Sequence, residues 1–249
     1  MKGFLKFILL FTMTTSAMAQ SSFKEKQLKF ERVRTAYDQK WNILKKELSN
    51  EAIKGAFNMY IIAYKSEGKL EVWLQNKPQK KYKLFKTYNF SAHSGTLGPK
   101  VKQGDKQTPE GFYNINVFNP KSNFYLSLGV NYPNKVDLQR SGTENPGNDI
   151  YIHGDRVTIG CIPLTDEKIK EVYVLAVEAR NNGQQQIPVH IFPFKMTDIN
   201  LKKYTVQYPQ QAAFWKNLQP GYTYFEKHNE VPLVQQLKGK YVINRKALN

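Results

Sequence analysis

Cys161 is the only cysteine in 249 residues, and it follows His153 by eight positions in a segment that also holds Gly154 and Gly160. A thiol is mostly protonated at neutral pH, so it becomes a nucleophile only beside a base or a positive charge. His153 can accept the thiol proton and then pair with the thiolate as an imidazolium. Gly160 lets the backbone adopt unusual dihedral angles next to the sulfur. We therefore predict Cys161 as the catalytic nucleophile, His153 as its base, and the amides of Gly160 and Cys161 as donors to a developing oxyanion.

Other roles for these residues also fit the composition. A single cysteine can be a buried apolar residue or an intermolecular link, and a histidine at a strand end commonly makes only an ordinary hydrogen bond. Zinc is the competing chemistry, with His153, Asp155, Cys161 and His190 as its ligands. Because the chain has neither a CxxC nor an HExxH motif, we expect no metal and no cofactor.

The elements on either side of Cys161 are predicted to fix its position. A short apolar run from Asp149 to His153 indicates a strand that delivers the histidine. Thr165 is a favoured N-cap residue, and acidic residues follow it where the helix dipole stabilises negative charge. The helix is expected to end near Arg180, because an Asn-Asn-Gly sequence follows. Cys161 should therefore lie in a loop between a strand and a capped helix.

Strand-like segments dominate the middle of the chain. Aromatic and β-branched residues indicate strands at 57–64, 70–75, 82–90, 112–118, 123–128 and 187–192, and the first two form a predicted hairpin across Glu67-Gly68. Apolar residues at helical spacing indicate an amphipathic helix from Phe23 to Leu48, and the last fifty residues favour short helices and turns. The expected fold is mainly β (α+β), a β-sandwich or barrel with helices added at both ends.

The first nineteen residues have the pattern of a signal peptide. Lys2 and Lys6 precede an apolar stretch, and Ala17-Met18-Ala19 matches a cleavage site, so the mature chain is expected to begin at Gln20. The alternative is an uncleaved membrane anchor, but the apolar stretch is shorter than the ~20 residues that span a bilayer. We expect an exported protein of the periplasm or cell envelope, peripheral to a membrane at most.

The charge of the chain suits an anionic partner. The formal net charge is +17, and it becomes +15 when Lys2 and Lys6 leave with the signal peptide. An envelope polymer or a lipid surface fits this charge. Charge alone also allows nucleic acid as the partner, but the export signal argues against it. The lysines between 77 and 86 form either a solvated face or a dedicated binding site.

Several ordered motifs between residues 55 and 195 resemble one known family. The segment from His153 to Cys161 is similar to the active site of the L,D-transpeptidase catalytic domain (YkuD-type), and within that family to the YafK-like branch. The motifs are, in chain order, Gly98-Pro99-Lys100, Gln103-Gly104-Asp105, Thr108-Pro109-Glu110-Gly111-Phe112-Tyr113, Tyr132-Pro133-Asn134, Ile152-His153-Gly154, Thr158-Ile159-Gly160-Cys161 and Ile191-Phe192-Pro193-Phe194. A series of motifs in one order is far more specific than one cysteine and one histidine.

The resemblance implies a fold, a substrate and a mechanism. The fold is a β-sandwich that carries the cysteine loop in a groove. The cysteine attacks the peptide carbonyl of a diamino acid in a peptidoglycan stem peptide, a terminal D-amino acid leaves, and a thioester remains. An amine from a second stem, or from a wall-linked protein, resolves the thioester. We thus expect a signal peptide at 1–19, an N-terminal helix at 20–50, an L,D-transpeptidase-like catalytic domain at 51–195 and a C-terminal helical extension at 196–249.

The resemblance also places further residues at the substrate groove, namely Lys100, Thr108, Gly111, Gly154, Arg156 and Thr158. Thr108 and Gly111 would belong to a loop beside the groove, although simple turn chemistry explains the same residues. Lys100 and Arg156 would pair with substrate carboxylates, or they would be solvated surface charges. In the family a backbone carbonyl orients the histidine, so Asp155 is expected to shape the loop, with the acid of a catalytic triad as the alternative.

Two positions depart from the common family pattern. Ile159 stands where many members have a second histidine, and Pro163 where arginine or asparagine is frequent. The short loop between His153 and Cys161 is typical of the YafK-like branch, whose members can hydrolyse wall-linked bonds. The alternatives are therefore a peptidoglycan amidase or hydrolase that releases wall-linked protein or peptide by the same chemistry, and a catalytically silent wall-binding module.

Overall fold

The computed structural model describes residues 21–244, so the signal peptide expected at 1–19 lies outside the described residues. The helices are α1 (Phe23–Leu28), α2 (Glu31–Asn50), α3 (Lys135–Ser141), α4 (Asp166–Asn181), α5 (Asp198–Gln207) and α6 (Ala212–His228), with a 3-10 turn at Pro209–Gln211. The strands are β1 (Phe57–Tyr64), β2 (Lys69–Asn76), β3 (Lys83–Asn89), β4 (Gly111–Asn119), β5 (Ser127–Val130), β6 (Tyr151–His153), β7 (Ile162–Pro163), β8 (Pro188–Phe192), β9 (Leu233–Leu237) and β10 (Lys240–Asn244).

Eight of these strands form one curled sheet with the order β3-β2-β1-β8-β4-β5-β6-β7. β1 and β2 pair along their whole length as the expected antiparallel hairpin. The sheet changes direction at β4, because the first half of β4 pairs with β8 and the second half pairs with β5. An irregularity in the register between Ile115 and Val117 separates the two halves, and such bulges bend a strand. The expected α+β fold with helices at both ends is confirmed.

Apolar side chains cover both faces of this sheet. Strand β1 is almost continuously apolar because it is buried on both sides: Met59 and Ile61 enter one core, whereas Tyr60 and Ile62 enter the other. The first core lies between the sheet and helices α2 and α4, and the second between the sheet and helices α5 and α6. The two ends of the chain therefore brace the sheet from opposite sides.

The amphipathic helix expected from Phe23 to Leu48 is divided into two helices. Ser22 caps α1 through a reciprocal capping box with Glu25. Phe30 has extended backbone dihedrals and precedes α2, so the helical hydrogen-bond pattern is interrupted there. Both helices pack against α4, which keeps the apolar residues on one side across the interruption.

The C-terminal segment contains a hairpin that the expectation of a helical extension at 196–249 did not include. Helices α5 and α6 are present, but β9 and β10 then pair antiparallel from Leu233 to Asn244. Lys238 and Gly239 have φ values of 47° and 70°, as a two-residue hairpin turn requires. Residues 245–249 lie outside the described part of the chain. The division of the chain into domains stays a prediction.

Two further differences concern β5 and α3. The strand expected at 123–128 forms at Ser127–Val130, because Tyr125 has a φ of 70° that interrupts an extended chain. Helix α3 was not expected, although Asn134 caps it with a second capping box. Helix α4, by contrast, begins directly after Thr165 and extends one residue beyond Arg180, close to its expected bounds.

Candidate active site

Two short parallel strands bring His153 and Cys161 onto one face of the sheet. β6 and β7 pair in register with Ile152 opposite Ile162. Cys161 and Tyr151 each precede this pair by one residue, so they lie opposite each other. The amide of Tyr151 donates a hydrogen bond to the Cys161 sulfur. Side chains alternate between the faces of a strand, so Ile152 and Ile162 enter the core while His153 and Cys161 project from the opposite face.

His153 is held in the form that can act as a base. Its side chain is buried, and Nδ1 lies 2.5 Å from the carbonyl oxygen of Gly154. A carbonyl only accepts hydrogen bonds, so Nδ1 carries the proton and the neutral ring keeps its lone pair on Nε2. The ring of Phe124 packs on the imidazole at 4.6 Å. Burial lowers the pKa of His153, although the Gly154 carbonyl and the charge of Asp155 oppose this shift.

The Cys161 thiol is neutral in this environment. Burial raises its pKa, the amide of Tyr151 opposes that shift, and the charge of Asp149 adds to it whereas that of Lys100 reduces it. Sγ donates to the carbonyl of Asp149 at 3.5 Å, so in this conformation the thiol proton points to that carbonyl and not to His153. At rest the thiol and the imidazole are consequently both neutral, which suits general-base catalysis.

Thr158 and Gly160 shape the turn that carries Cys161. Gly160 has a φ of 137°, and a Cβ there would lie 2.8 Å from the carbonyl of Gln107. The Thr158 hydroxyl accepts from the Gly160 amide at 3.1 Å and donates to the Cys161 carbonyl at 2.8 Å. One expectation is corrected here. The Gly160 amide is already bonded and is not an open oxyanion donor in this conformation. Thr158 secures the turn, and its expected contact with substrate stays a prediction.

The amide of Cys161 is the better candidate for the oxyanion donor. Within residues 21–244 it has no hydrogen-bond acceptor, whereas the Gly160 amide has Thr158. An unbonded amide beside the sulfur can meet the charge that develops on a substrate carbonyl.

A cavity of about 210 Å³ opens at Cys161. Thr108 lines it, as expected from the motif to which it belongs, and its contact with substrate stays a prediction. The other lining residues come from three separate segments and, except for His93, which the sequence offers as an outside candidate for contact, were not assigned to the groove: Lys65, Phe90, Ala92, His93, Ser94, Gly95, Thr96, Leu97 and Tyr208. The C-terminal segment therefore contributes a wall of the cavity through Tyr208.

Local sequence signals existed for some of these missed residues. Lys65 is a charged residue directly after a buried apolar strand, and it is itself buried. Buried lysines are rare unless they are paired, which makes such a position notable. Tyr208 has no comparable signal, because only the folding of α5 and α6 onto the sheet brings it near Cys161.

Three residues expected at the groove do not line the cavity at Cys161, and their contact with substrate stays a prediction. The ammonium of Lys100 is buried and bonds the Asp105 carboxylate at 2.6 Å, so it is not free for a substrate carboxylate. Gly111 lies under Tyr241, whose hydroxyl would be 2.3 Å from a Cβ at this position. Gly154 is buried against the start of α4, and its carbonyl accepts the hydrogen bond from Nδ1 of His153.

Arg156 lines a second cavity, of about 600 Å³, together with Phe124 and Asp155. Cys161 does not line this cavity, so the expected contact of Arg156 with substrate stays a prediction. Asp155 has a φ of 65°, and its carboxylate accepts from the Arg156 amide at 2.6 Å. These contacts fit the expected loop-shaping role of Asp155.

His190 lies in the second core, away from the thiol. Its Nδ1 is 2.6 Å from the hydroxyl of Tyr60, and its ring packs edge-on against Phe112. This placement removes His190 from the zinc site considered above. Among residues 21–244, no group of three or more His, Cys, Asp or Glu side chains is arranged to hold a metal ion.

Known proteins are similar in sequence to the part of the chain that contains Cys161 and His153. The sequence model of the family described as "YkuD: L,D-transpeptidase catalytic domain" matches residues 58–191. The "Putative L,D-transpeptidase YafK" of Escherichia coli K12 is 38% identical over 189 residues, which cover 75% of this chain and 74% of that protein. The expected resemblance to the YafK-like branch is confirmed.

Two solved structures are also similar. The helical cell shape determining protein Pgp2 of Campylobacter jejuni has 17% identity and a TM-score of 0.43, and the match covers 72% of this chain and 73% of that chain. Bd1075 of Bdellovibrio bacteriovorus has 27% identity and a TM-score of 0.39, with 58% and 49% covered. On the family match and the identity to YafK, this chain belongs to the L,D-transpeptidase catalytic domain (YkuD) family.

Proposed function

We propose that this protein is an exported, cysteine-dependent L,D-transpeptidase that acts on peptidoglycan stem peptides through a thioester at Cys161. The observation that carries the proposal is the β6–β7 pairing, which sets Cys161 and His153 on one face of the sheet. The hydrogen bond from His153 to the Gly154 carbonyl supports it further, because it leaves Nε2 free as a base.

The acylation step follows from this arrangement. Nε2 of His153 takes the thiol proton while Sγ attacks the carbonyl carbon of the scissile peptide bond. The amide of Cys161 is the donor available to the resulting oxyanion. The C–N bond then breaks, the imidazolium returns the proton to the departing amine, and a thioester remains on Cys161. An incoming amine, deprotonated by the same histidine, attacks the thioester and restores the thiol.

Hydrolysis of the thioester is the second candidate outcome. Ile159 is 78% exposed just before the Gly160-Cys161 pair, where many family members carry a histidine. An aliphatic side chain two residues before the cysteine offers no hydrogen bond to orient an amine acceptor. Water as acceptor would make the protein a peptidoglycan amidase that releases wall-linked protein or peptide.

A muropeptide digest distinguishes these outcomes. The mature chain and its Cys161→Ala variant are incubated with purified muropeptides, with and without an added amine acceptor, and the products are identified by mass. We expect the wild type to release a terminal amino acid and the variant to be inactive. Amine-dependent products indicate transpeptidation, and their absence with turnover indicates hydrolysis. Equal processing by the variant would refute the nucleophile, and binding without any turnover would favour a silent wall-binding module.

Export is the other part of the proposal. It is supported by the signal-peptide pattern of residues 1–19 and by a net charge that suits an anionic envelope. Within residues 21–244, no helix has both the length and the apolar character that a bilayer crossing needs. Cell fractionation with N-terminal sequencing should find the protein in the envelope or periplasm, beginning at Gln20. Recovery of the full-length chain in the cytoplasm would contradict export.

A further inference from the structure

A buried ion pair lies at the wall of the Cys161 cavity, and Lys65 is one of the residues that line it. Lys65 follows β1 and is 8% exposed, and Glu110 precedes β4 and is fully buried. The Lys65 ammonium donates to the Glu110 carboxylate at 2.9 Å, to the Gly98 carbonyl at 2.6 Å and to the Thr108 carbonyl at 2.8 Å. An ammonium has three protons, so each of them is used.

Glu110 joins this pair to the C-terminal helix α6. One carboxylate oxygen accepts from Lys65 and from the Gly98 amide, the latter at 2.7 Å. The other accepts from the indole N–H of Trp215 at 2.8 Å. One carboxylate therefore fixes both the loop that leads to Thr108 and the helix that closes the second core.

The same helix region reaches back to the cavity. Tyr208 lines the cavity, and its ring packs edge-on against Trp215 at 5.7 Å. The side chain of Gln211 lies against Gly98, where an added Cβ would be 3.0 Å from its amide nitrogen. The wall that contains Thr108 and the wall that contains Tyr208 thus meet at one buried network.

We propose that Lys65 and Glu110 are positioning residues that hold these two walls of the cavity together, so that the C-terminal segment is part of the catalytic apparatus. The proposal rests on the proposed function, because the cavity is taken to receive the peptide that acylates Cys161. The two residues act on the walls and not on the sulfur, whose pKa responds to the charges of Asp149 and Lys100.

The energetics of a buried ion pair favour this interpretation. Desolvation of two charges offsets much of their attraction, and apolar replacements of similar volume are often neutral or stabilising. Stability alone therefore does not require a lysine and a glutamate here. What the pair supplies is the relative position of the segments around it. The side chains of Lys65 and Glu110 make five hydrogen bonds that connect four segments of the chain.

The test uses Glu110→Gln, with Glu178→Gln as its matched control. Glu178 is also buried and also bonds a lysine, Lys24 at 2.5 Å, but it anchors α1 and α2 to α4. Trp215→Phe is the milder second variant, since it removes one indole N–H and keeps an aromatic ring. The measurements on the mature chain are KM and kcat for stem-peptide acylation, the rate of Cys161 alkylation by iodoacetamide, and amide hydrogen exchange of residues 96–108.

We expect Glu110→Gln and Trp215→Phe to raise KM at least fivefold, with kcat and the alkylation rate within twofold of wild type. Exchange in residues 96–108 should become at least tenfold faster in both, and Glu178→Gln should change none of these quantities. The proposal would be overturned if KM and the exchange rate of both Glu110→Gln and Trp215→Phe equalled those of the wild type. It would also be overturned if Glu178→Gln changed these quantities as much as the two site variants do. If the wild type acylates no peptide, the proposed function fails, and the exchange data still decide whether the network holds the wall.

Discussion

The resting protonation of the Cys161–His153 pair can be measured against pH. Burial raises the pKa of the thiol and lowers that of the imidazole. Both shifts favour the neutral forms, so the proton stays on sulfur until a substrate is bound. An ordinary thiol of pKa ~8.5 is about 3% thiolate at pH 7, and the raised pKa keeps Cys161 below that fraction.

The perturbation is His153→Ala, and the assay is alkylation of Cys161 by iodoacetamide from pH 5.5 to 10, followed by intact mass. In wild type and variant alike, we expect the rate to rise about tenfold per pH unit near neutrality and to level off above pH ~8.5. Acylation by a stem peptide needs the base, so it should fall about 10²–10⁴-fold in the variant. That loss corresponds to about 3–5 kcal/mol of activation free energy.

A matched control and a clear refutation are available. His228→Ala removes an exposed histidine at the end of α6, and it should leave both rates unchanged. A wild-type alkylation rate that already levels off below pH 7, and that loses this plateau in His153→Ala, would show a preformed thiolate–imidazolium pair. Such a result would refute the inference from burial.

Three further changes test the loop and the packing behind it. Gly160→Ala places a Cβ 2.8 Å from the Gln107 carbonyl at a φ of 137°. We expect acylation, followed by mass spectrometry, to be at least tenfold slower, and the free energy of unfolding to be lower by about 1–3 kcal/mol. Gly183→Ala is the control: its φ is also positive, but an added Cβ would meet no atom, so it measures the cost of backbone strain without a clash. Thr158→Val keeps the shape but removes two backbone hydrogen bonds, so kcat/KM should fall about 5–50-fold, and a change below twofold would contradict the role of the hydroxyl. Asp137 is buried in the first turn of α3, at the capping box with Asn134. Burial raises its pKa to about 7, above the ~3.9 of the unfolded chain, so the folded state binds this proton more tightly. Its contribution to stability is therefore full below pH ~4 and is lost, by roughly 4 kcal/mol, as pH rises to about 7. Urea unfolding measured between pH 4 and 7 should show this decline in the wild type and not in Asp137→Asn. The same pH dependence of the unfolding free energy in both proteins would contradict the raised pKa of Asp137.

The elements predicted from sequence are those whose pattern is local. Helix α4 has its N-cap and its stop within one segment, and the β1–β2 hairpin has aromatic and β-branched residues on both sides of a glycine turn. The interpretation of Cys161 and His153 rested on side-chain chemistry and on the order of the motifs. The hairpin of β9 and β10 also had a local signal in Lys238-Gly239, and it was missed because the surrounding helical segments dominated the pattern.

The remaining features depend on contacts between distant segments. Lys65 and Glu110 are 45 positions apart, and Glu110 and Trp215 are 105 apart, so no local pattern indicates their network. The oxyanion assignment to Gly160 failed for a related reason. Whether its amide is open depends on the rotation of the Thr158 hydroxyl within the folded turn, and composition does not specify that geometry.

The central claim is that Cys161 carries the acyl group, and intact mass after mixing with a stem-peptide donor tests it most directly. Rapid acid quenching should trap an adduct whose mass equals the donor minus the released amino acid, and peptide mapping should place it on Cys161. Hydroxylamine should remove the adduct, as it does from thioesters, and Cys161→Ala should form none. Turnover of the donor without any adduct on Cys161, or with an adduct elsewhere, would contradict the account.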